Sequence, residues 1–198
     1  MKTDIIIIGS GPAGLSFARS LKNTALNITI IDRQTQETLA NPKEDGRDVA
    51  LTHTSKKILT DLGVWDRLPA HLISPIHEAK VLNGRSPYAL HFDRRKINCD
   101  ALGFLVPNHL LRKALYDEVD TMDNVERLYE QSIETINTTT DSACITLSNN
   151  TTINATLIVA ADGRFSKMRQ QKNIAAHTHD FQQMATVCRI EHEKPHHN

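Results

Sequence analysis

The pattern of apolar and polar positions at the start of the chain predicts a β-α-β unit. Residues 4–8 read Asp-Ile-Ile-Ile-Ile, and such a β-branched run is typical of a strand buried on both faces of a parallel sheet. A glycine-rich loop follows, and from Ala13 onward apolar residues recur at helical spacing. A second β-branched run covers residues 27–31 and ends at Asp32. The connection between the two strands is expected to be a right-handed crossover.

The rest of the chain predicts elements of both kinds. Residues 34–48 are polar and charged and predict a long connection. Period-two patterning around Asn83-Gly84 predicts a hairpin within residues 76–106. The other predicted elements are a helix over 51–68, a helix from near Asn108, strands over about 125–137, 142–148 and 151–155, and a buried strand over 156–161. These elements indicate an α/β fold, a Rossmann-like domain with a three-stranded β meander at about 125–155.

Composition and charge narrow the classes of protein to consider. The 198 residues carry 23 Lys and Arg and 23 Asp and Glu, so no overall field attracts nucleic acid or anionic lipid, and nucleic acid is not expected as a partner. No apolar run approaches the roughly 20 residues of a membrane span. The run at residues 5–8 is too short for the apolar part of a signal peptide. We therefore expect a cytoplasmic protein.

Cysteines and histidines do not form a recognisable framework in this sequence. Cys99, Cys144 and Cys188 are widely separated, which argues against a disulfide scaffold, a zinc site and a dithiol flavoenzyme. Ten histidines are present, and the candidate metal ligands are His177 with His179, or His192 with His196 and His197. They lie in polar segments without matching cysteines or carboxylates, so we interpret them as solvated side chains and expect no metal.

The hexapeptide Gly-Ser-Gly-Pro-Ala-Gly at residues 9–14 carries the clearest chemical signal. Gly9 permits the tight turn out of the strand, Gly11 lets the backbone approach a pyrophosphate, and Gly14 lets the helix pack against the strand. Pro12 suits the first helical position. The N–H groups and the positive dipole end of this helix favour phosphates.

Asp32 adds the second part of a dinucleotide motif. It ends the second predicted strand, 18 residues beyond Gly14, where a carboxylate accepts hydrogen bonds from ribose hydroxyls. The order of strand, glycine loop, helix, strand and acid predicts dinucleotide binding, and a glycine turn followed by a surface aspartate is the alternative. The motif does not distinguish FAD from NAD.

Later segments resemble the flavoprotein aromatic hydroxylases, the group that contains para-hydroxybenzoate hydroxylase. Residues 45–51, Asp-Gly-Arg-Asp-Val-Ala-Leu, resemble the arginine segment of that family, which implies that Arg47 contacts phosphate oxygens or the flavin. Residues 107–115 resemble the start of a family helix, which implies a cofactor contact for Asn108. A solvated loop charge at Arg47 and a simple helix cap at Asn108 are the alternatives.

The most specific segment is residues 160–169, Ala-Ala-Asp-Gly-Arg-Phe-Ser-Lys-Met-Arg. It resembles the family's second fingerprint, whose aspartate contacts the flavin side and whose segment also serves the pyridine nucleotide. Asp162, at the carboxyl end of a strand, would face the cofactor crevice, and Gly163 would allow the turn. Arg164 and Arg169 would offer positive charge to a nucleotide phosphate. A routine strand-to-helix turn is the alternative.

Within this group, residues 103–108 and the Arg47 segment are most similar to the ubiquinone-biosynthesis hydroxylases. The resemblance implies an FAD-dependent monooxygenase that uses NAD(P)H and oxygen to hydroxylate an aromatic ring of a polyprenylated quinone precursor. No catalytic acid or base is identified. The expected cofactor-binding residues are Gly9, Gly11, Pro12, Ala13, Gly14, Asp32, Arg33, Arg47, Asn108, Asp162 and Gly163.

The resemblance also implies a division into domains. We expect an FAD-binding domain in residues 1–74 and 107–176, and a partial β-rich substrate domain in residues 75–106 and 177–198. A strand of the substrate domain is expected over residues 184–190.

Two alternative functions remain open. One is another flavoprotein of the same fold, such as a prenyl reductase or an epoxidase. The other is a non-catalytic FAD- or nucleotide-binding fragment, which is favoured because the family's third fingerprint, Gly-Asp followed by small residues, His and Pro, does not occur in these 198 residues. We therefore expect the chain alone to bind FAD weakly and to be inactive. Association with the inner-membrane surface or with a biosynthetic complex is a further expectation.

Overall fold

A computed structural model describes residues 1–184 together with Thr186 and Glu193. Its strands, in chain order, are β1 (Ile5–Ile8), β2 (Ile28–Ile31), β3 (Asp48–Leu51), β4 (Ser74–Ile76), β5 (Glu78–Leu82), β6 (Ala89–Asp93), β7 (Gly103–Pro107), β8 (Val125–Leu128), β9 (Ile133–Thr138), β10 (Ala143–Leu147), β11 (Thr152–Ala155) and β12 (Leu157–Ala160). Its α-helices are α1 (Pro12–Ser20), α2 (Gln36–Ala40), α3 (His53–Asp61), α4 (Asn108–Asp120) and α5 (Lys167–Gln171). Both kinds of element alternate along the chain, so the predicted α/β fold class is confirmed.

Four parallel strands form the sheet on which the candidate site is built. Their order is β12-β1-β2-β8, and Ile5 of β1 pairs with Leu157 on one side and Ile28 on the other. All side chains of β1 and β2 are buried, as expected for internal strands of a parallel sheet covered on both faces. The predicted β-α-β unit is therefore present, with α1 connecting β1 to β2.

An antiparallel sheet of β9, β10 and β11 packs against the parallel sheet. Buried side chains from both sheets and from α5 form one core, which consists of Ile6, Ile8, Ile31, Ile133, Ile145, Leu147, Ile153, Ala155 and Met168. The predicted meander is thus present, but its boundary was wrong. Val125–Leu128 pairs with β2 as the fourth parallel strand, and the meander begins only at Ile133. Between them Glu130 has a φ of 55°, an uncommon conformation for a residue with a side chain, and it turns the chain between the sheets.

The described residues divide into two compact units. One comprises Met1–Lys43 and Arg112–Met184, and the other contains Glu44–Leu111. The assignment of residues 75–106 and 177–198 to a substrate domain stays a prediction, and the predicted strand over 184–190 lies outside the described residues apart from Met184 and Thr186. None of the helices in the described part of the chain combines the length and apolar character needed to cross a bilayer.

The second unit contains the predicted hairpin. Strands β5 and β6 pair antiparallel, with Glu78 opposite Asp93 and Leu82 opposite Ala89. A separate sheet has the order β3-β7-β4. The helix predicted over residues 51–68 is shorter than expected, because Leu51 ends β3 and Gly63, with a φ of 78°, follows α3.

Within the first unit, α1 lies very close to the end of β1. A Cβ atom at Gly14 would stand 2.1 Å from the carbonyl oxygen of Gly9 and 3.3 Å from the Cβ of Ala161. Only a residue without a side chain allows this contact. On its other side α1 is joined to α4 by an ion pair, because Arg19 Nη2 lies 2.5 Å from Glu118 Oε2 and both side chains are about nine-tenths buried.

We predict that Gly14→Ala lowers the free energy of unfolding by about 2–3 kcal/mol, because the added methyl group overpacks against backbone. The sign of this change in the free energy of unfolding is informative, because Gly→Ala inside a helix ordinarily stabilises a protein by about 0.5–1 kcal/mol. The matched control is Gly11→Ala, whose Cβ would meet no atom within 4 Å and which should cost less than about 1 kcal/mol. Urea unfolding measures both, and equal midpoints for the two variants would contradict the packing account.

Candidate functional site

A cleft of about 610 Å³ runs along one edge of the parallel sheet, within the first unit. Its walls come from the segments that follow the carboxyl ends of all four parallel strands. In an open α/β sheet, this edge is where ligands bind. The cleft is lined by Ile8, Gly9, Gly11, Ile31, Asp32, Arg33, Gln34, Gln131, Ser132, Ile133, Ala161, Asp162, Gly163, Phe165, Lys167 and Met168.

Asp32 connects the loops at the centre of this edge. Its Oδ2 accepts a hydrogen bond from the backbone N–H of Ser10 at 2.7 Å, and its Oδ1 accepts one from the N–H of Gln34 at 2.9 Å. The backbone of Asp32 bonds to the end of β8 and the segment that follows it. Its N–H donates to Leu128 O at 3.0 Å, and its C=O accepts from Gln131 N–H at 3.0 Å. A carboxylate offers about four acceptor positions, so Asp32 retains capacity for hydroxyl donors from the cleft.

Gly11, unlike Gly14, is not required to be glycine by contacts within the protein. Its φ of −76° and ψ of 175° suit any residue, and an added Cβ would meet no protein atom within 4 Å. The folded chain itself therefore does not need glycine at this position. Gly11 lines the cleft, so a ligand can approach its bare backbone through this open space.

The N-terminus of α1 has no side-chain cap. In contrast α2, α3 and α5 each begin with a hydroxyl cap, from Thr35, Thr52 and Ser166 respectively. At α1 the preceding residue is Gly11, Pro12 occupies the first turn, and the first helical hydrogen bond runs from Leu15 N–H to Gly11 O. The amides of Ala13 and Gly14 thus lie in the first turn, where an anion can accept their hydrogen bonds.

Asp162 lies at the β12 end of the cleft, in a well-held turn. Its Oδ2 accepts a hydrogen bond from Met168 N–H at 3.2 Å, while its Oδ1 is buried and has no hydrogen-bond partner among the described residues. Ser166 holds the same turn, since its N–H donates to Gly163 O at 3.1 Å. A buried carboxylate oxygen without a donor is costly, so Asp162 is suited to accept a hydrogen bond from a bound group.

Arg47 and Asn108 lie in the second unit, where both contact Asp45. Arg47 donates to Asp45 Oδ2 from Nη2 at 2.6 Å and from Nε at 3.0 Å, and Asn108 Nδ2 donates to the same oxygen at 2.9 Å. The hydrogen bonds from Arg47, and then from Asn108, hold the pKa of Asp45 well below its ordinary value. The structure therefore groups these two predicted residues around an acid that was not selected from the sequence. A cofactor contact for either stays a prediction.

The cleft also contains side chains that sequence reasoning did not select. Gln131 and Ser132 follow β8, and they were missed because β8 was merged with β9 into one predicted strand. Phe165 and Lys167 lie just beyond the predicted Asp162-Gly163 turn, and Phe165 is 74% exposed with the Arg164 guanidinium 4.5 Å from its ring. Because they lie directly after the Asp-Gly pair in the sequence, they could have been predicted as residues of the same site.

Comparison with known proteins shows what the chain is similar to. It is 42% identical over 196 residues to the ubiquinone hydroxylase UbiM of Neisseria meningitidis, covering 97% of this chain and 42% of the relative. It is 31% identical over 193 residues to the ubiquinone hydroxylase UbiL of Rhodospirillum rubrum, covering 98% of this chain and 44% of the relative. The chain thus spans less than half the length of these relatives.

A solved structure shares the fold. The flavin-dependent monooxygenase PieE, in complex with FAD and substrate, superposes with a TM-score of 0.69 at 18% identity, covering 88% of this chain and 32% of the other. The sequence profile of one family, the FAD binding domain, matches residues 2–197. FAD is the cofactor of this family, and NAD(P)H is its typical reductant. The chain belongs to the FAD binding domain family.

Proposed function

We propose that this chain holds the ADP half of FAD along the carboxyl edge of its parallel sheet, in a monooxygenase that hydroxylates an aromatic ring of a polyprenylated quinone precursor. The observation that carries the proposal is Gly11. It is a glycine that the folded chain does not require, and it stands beside an uncapped helix N-terminus in the cleft.

The strand order suggests how the cofactor lies. Asp32 follows β2, Gly11 follows β1, and Asp162 follows β12, which are three neighbouring strands about 5 Å apart. With the adenosine ribose on Asp32 and the pyrophosphate on Gly11, the flavin-bearing half extends toward Asp162. Arg33, beside Asp32, would contact the adenosine side.

Bound FAD would supply the redox chemistry, taking reducing equivalents from NAD(P)H and transferring oxygen to the substrate. The residues of this chain position it. Asp32 would orient the ribose, the amides at the start of α1 would donate hydrogen bonds to the pyrophosphate, and Asp162 would accept a hydrogen bond from the flavin-bearing half. We assign no proton transfer to a side chain of this chain.

The substrate class is proposed from the relatives. The two relatives described above carry the name ubiquinone hydroxylase, which favours hydroxylation over the prenyl reductase and epoxidase alternatives. The proposed partners are therefore a small aromatic quinone precursor and oxygen. Because a polyprenyl tail dissolves in lipid, we also propose that the complete protein works at the inner-membrane surface, alone or in a biosynthetic complex.

The assay that tests the substrate class uses the complete gene product, a prenylated phenol, NAD(P)H and labelled oxygen. The proposal predicts one labelled oxygen atom on the aromatic ring. Label on the prenyl tail would identify an epoxidase, and a saturated tail without label would identify a prenyl reductase.

Gly11→Val is predicted to weaken FAD binding at least tenfold, about 1.4 kcal/mol, since the side chain occupies the pyrophosphate position. Ser10→Ala is the control, because only the backbone N–H of Ser10 bonds to Asp32, and it should bind FAD normally. Titration of flavin fluorescence, with urea unfolding to check the fold, measures both variants. Parental affinity in Gly11→Val would remove the loop from the cofactor site.

Asp32→Ala is predicted to weaken FAD binding by about 1–3 kcal/mol through lost charge-assisted hydrogen bonds. ADP carries the same ribose and pyrophosphate, so its affinity, measured by competition, should fall in the same proportion. Unchanged FAD affinity, or a loss confined to FAD with ADP unaffected, would show that Asp32 does not bind the adenosine ribose.

The purified 198-residue chain is predicted to bind FAD weakly and to hydroxylate nothing. The residues proposed for the ADP half are present, while the chain spans less than half the length of its relatives, and the third fingerprint is not among its residues. Flavin absorbance after purification and product analysis in the labelled-oxygen assay test this. Stoichiometric flavin with ring hydroxylation would contradict it.

A further inference from the structure

Asp45, Arg47 and Asn108 form a closely bonded group in the second unit. The antiparallel pairing of β3 with β7 brings the last two together, because the backbone N–H of Asn108 donates to Arg47 O at 2.9 Å. Asp45 lies two residues before Arg47 and accepts a hydrogen bond from its backbone N–H at 3.1 Å. The end of this strand pair therefore sets both side chains around one carboxylate.

The carboxylate of Asp45 is fully occupied by donors of the protein. Its Oδ1 accepts from the Arg47 N–H, and its Oδ2 accepts from Arg47 Nε, Arg47 Nη2 and Asn108 Nδ2. A carboxylate offers about four acceptor positions, so none is left for a ligand. Asp45 differs in this respect from Asp32, and its effect is on its two neighbours.

The contact with Asp45 decides how the amide of Asn108 is oriented. A carboxylate can only accept hydrogen bonds, so Asn108 must turn its NH₂ group toward Asp45. The carbonyl oxygen of the same amide is then directed to other partners, and no described residue donates to it. Asn108 therefore presents an acceptor, which suits a hydroxyl group and does not suit a phosphate.

Arg47 presents the complementary group. Its Nε and Nη2 are engaged by Asp45, while its Nη1 has no acceptor among the described residues. The free end of a guanidinium is a strong donor to phosphate oxygens. Since Arg47 and Asn108 bond to the same carboxylate oxygen, the pair offers a donor for a phosphate beside an acceptor for a hydroxyl.

A second aspartate of the same unit shows which part of this arrangement is only local structure. Asp93 accepts from Arg95 Nη2 at 2.6 Å, from Nε at 3.0 Å and from the backbone N–H at 2.9 Å, in close agreement with the pair of Asp45 and Arg47. Arg95, however, also lies 3.4 Å from the carboxylate of Glu78. The feature that sets Asp45 apart is its third partner, an amide with a free acceptor.

We propose that Asp45 is a positioning residue for the flavin-bearing half of FAD and acts through Arg47 and Asn108. The inference rests on the proposed function, which assigns the ADP half to the first unit. The other half carries a phosphate and the ribityl hydroxyls, the two groups that this pair can receive. Because Asp45 holds both side chains before the cofactor arrives, less side-chain freedom is lost on binding.

The experiment is titration of the 198-residue chain with FAD, and with ADP by competition. Asp45→Ala should weaken FAD binding about fivefold or more and leave ADP affinity unchanged, because ADP lacks the ribityl chain. Asp45→Asn should fall between the parent and Asp45→Ala. Its oxygen can still accept from Arg47, but its NH₂ group no longer forces the orientation of Asn108.

A double-mutant cycle separates positioning from a direct contribution of Asp45. In a chain that already carries Arg47→Ala and Asn108→Ala, adding Asp45→Ala should change FAD affinity less than about twofold, since the side chains through which it acts are gone. A loss as large as in the parent background would show that Asp45 acts independently of them and would overturn the proposal.

The matched control is Asp93→Ala, which breaks the same kind of aspartate–arginine pair and should leave FAD affinity unchanged. An equal loss in this variant would trace the effect to the folding of the second unit, which urea midpoints check. Unchanged FAD affinity in Asp45→Ala would overturn the proposal, and tighter binding would show that Asp45 competes with phosphate for Arg47. A proportionate loss of ADP would overturn it as well.

Failure of the proposed function gives a different pattern. Gly11→Val would then bind FAD like the parent, and the assignment of the two halves of the cofactor to the two units would fall with it. If Gly11→Val loses FAD while Asp45→Ala keeps it, the proposed function stands and the role of Asp45 is refuted.

Discussion

The contact between the start of α1 and the end of β1 is the constraint on which the candidate site depends. With no side chain at Gly14, the helix approaches the Gly9 carbonyl so closely that even a methyl group would collide with backbone. This approach sets the first turn of α1 directly over the carboxyl edge of the sheet. Asp32 then ties the loop to the next strand through Ser10 N–H, so the amides at the helix start have a defined direction.

Three glycines in one hexapeptide serve different ends, and the structure separates them physically. The fold requires glycine at two of these positions, because Gly9 has a φ of 104° and a Cβ atom at Gly14 would collide with backbone. Gly11, in contrast, has an ordinary conformation, and a Cβ atom there would meet no protein atom within 4 Å. Glycine at position 11 is therefore explained by the proposed pyrophosphate contact and not by the fold. The same logic applies to the buried oxygen of Asp162, which the described chain leaves without a donor. The chain belongs to the FAD binding domain family, and these two features are the basis for the proposal that the cofactor lies across the strand ends.

Much of this arrangement could be predicted from sequence because its signals are local. Four consecutive isoleucines indicate an internal parallel strand, and the glycine loop followed by Asp32 indicates which edge binds. The end of the strand Val125–Leu128 could not be predicted this way. This strand pairs with β2, which is distant in sequence, and a strand-like pattern does not specify the pairing partner. The clustering of Arg47 and Asn108 on Asp45 also depends on tertiary contacts, which bring together residues 63 positions apart. Phe165 and Lys167 needed the geometry of a turn before they could be assigned to the cleft.

Hydrogen–deuterium exchange of the 198-residue chain, with and without saturating FAD, reports which backbone segments the cofactor covers and so tests whether it binds at the carboxyl edge of the sheet. We expect slower exchange with FAD in residues 9–15, 32–34 and 162–168, the segments that follow β1, β2 and β12. ADP should protect the first two segments and leave the third nearly unchanged. Protection confined to the meander strands β9–β11, or absent from residues 9–15, would contradict a cofactor site at the carboxyl edge of the sheet.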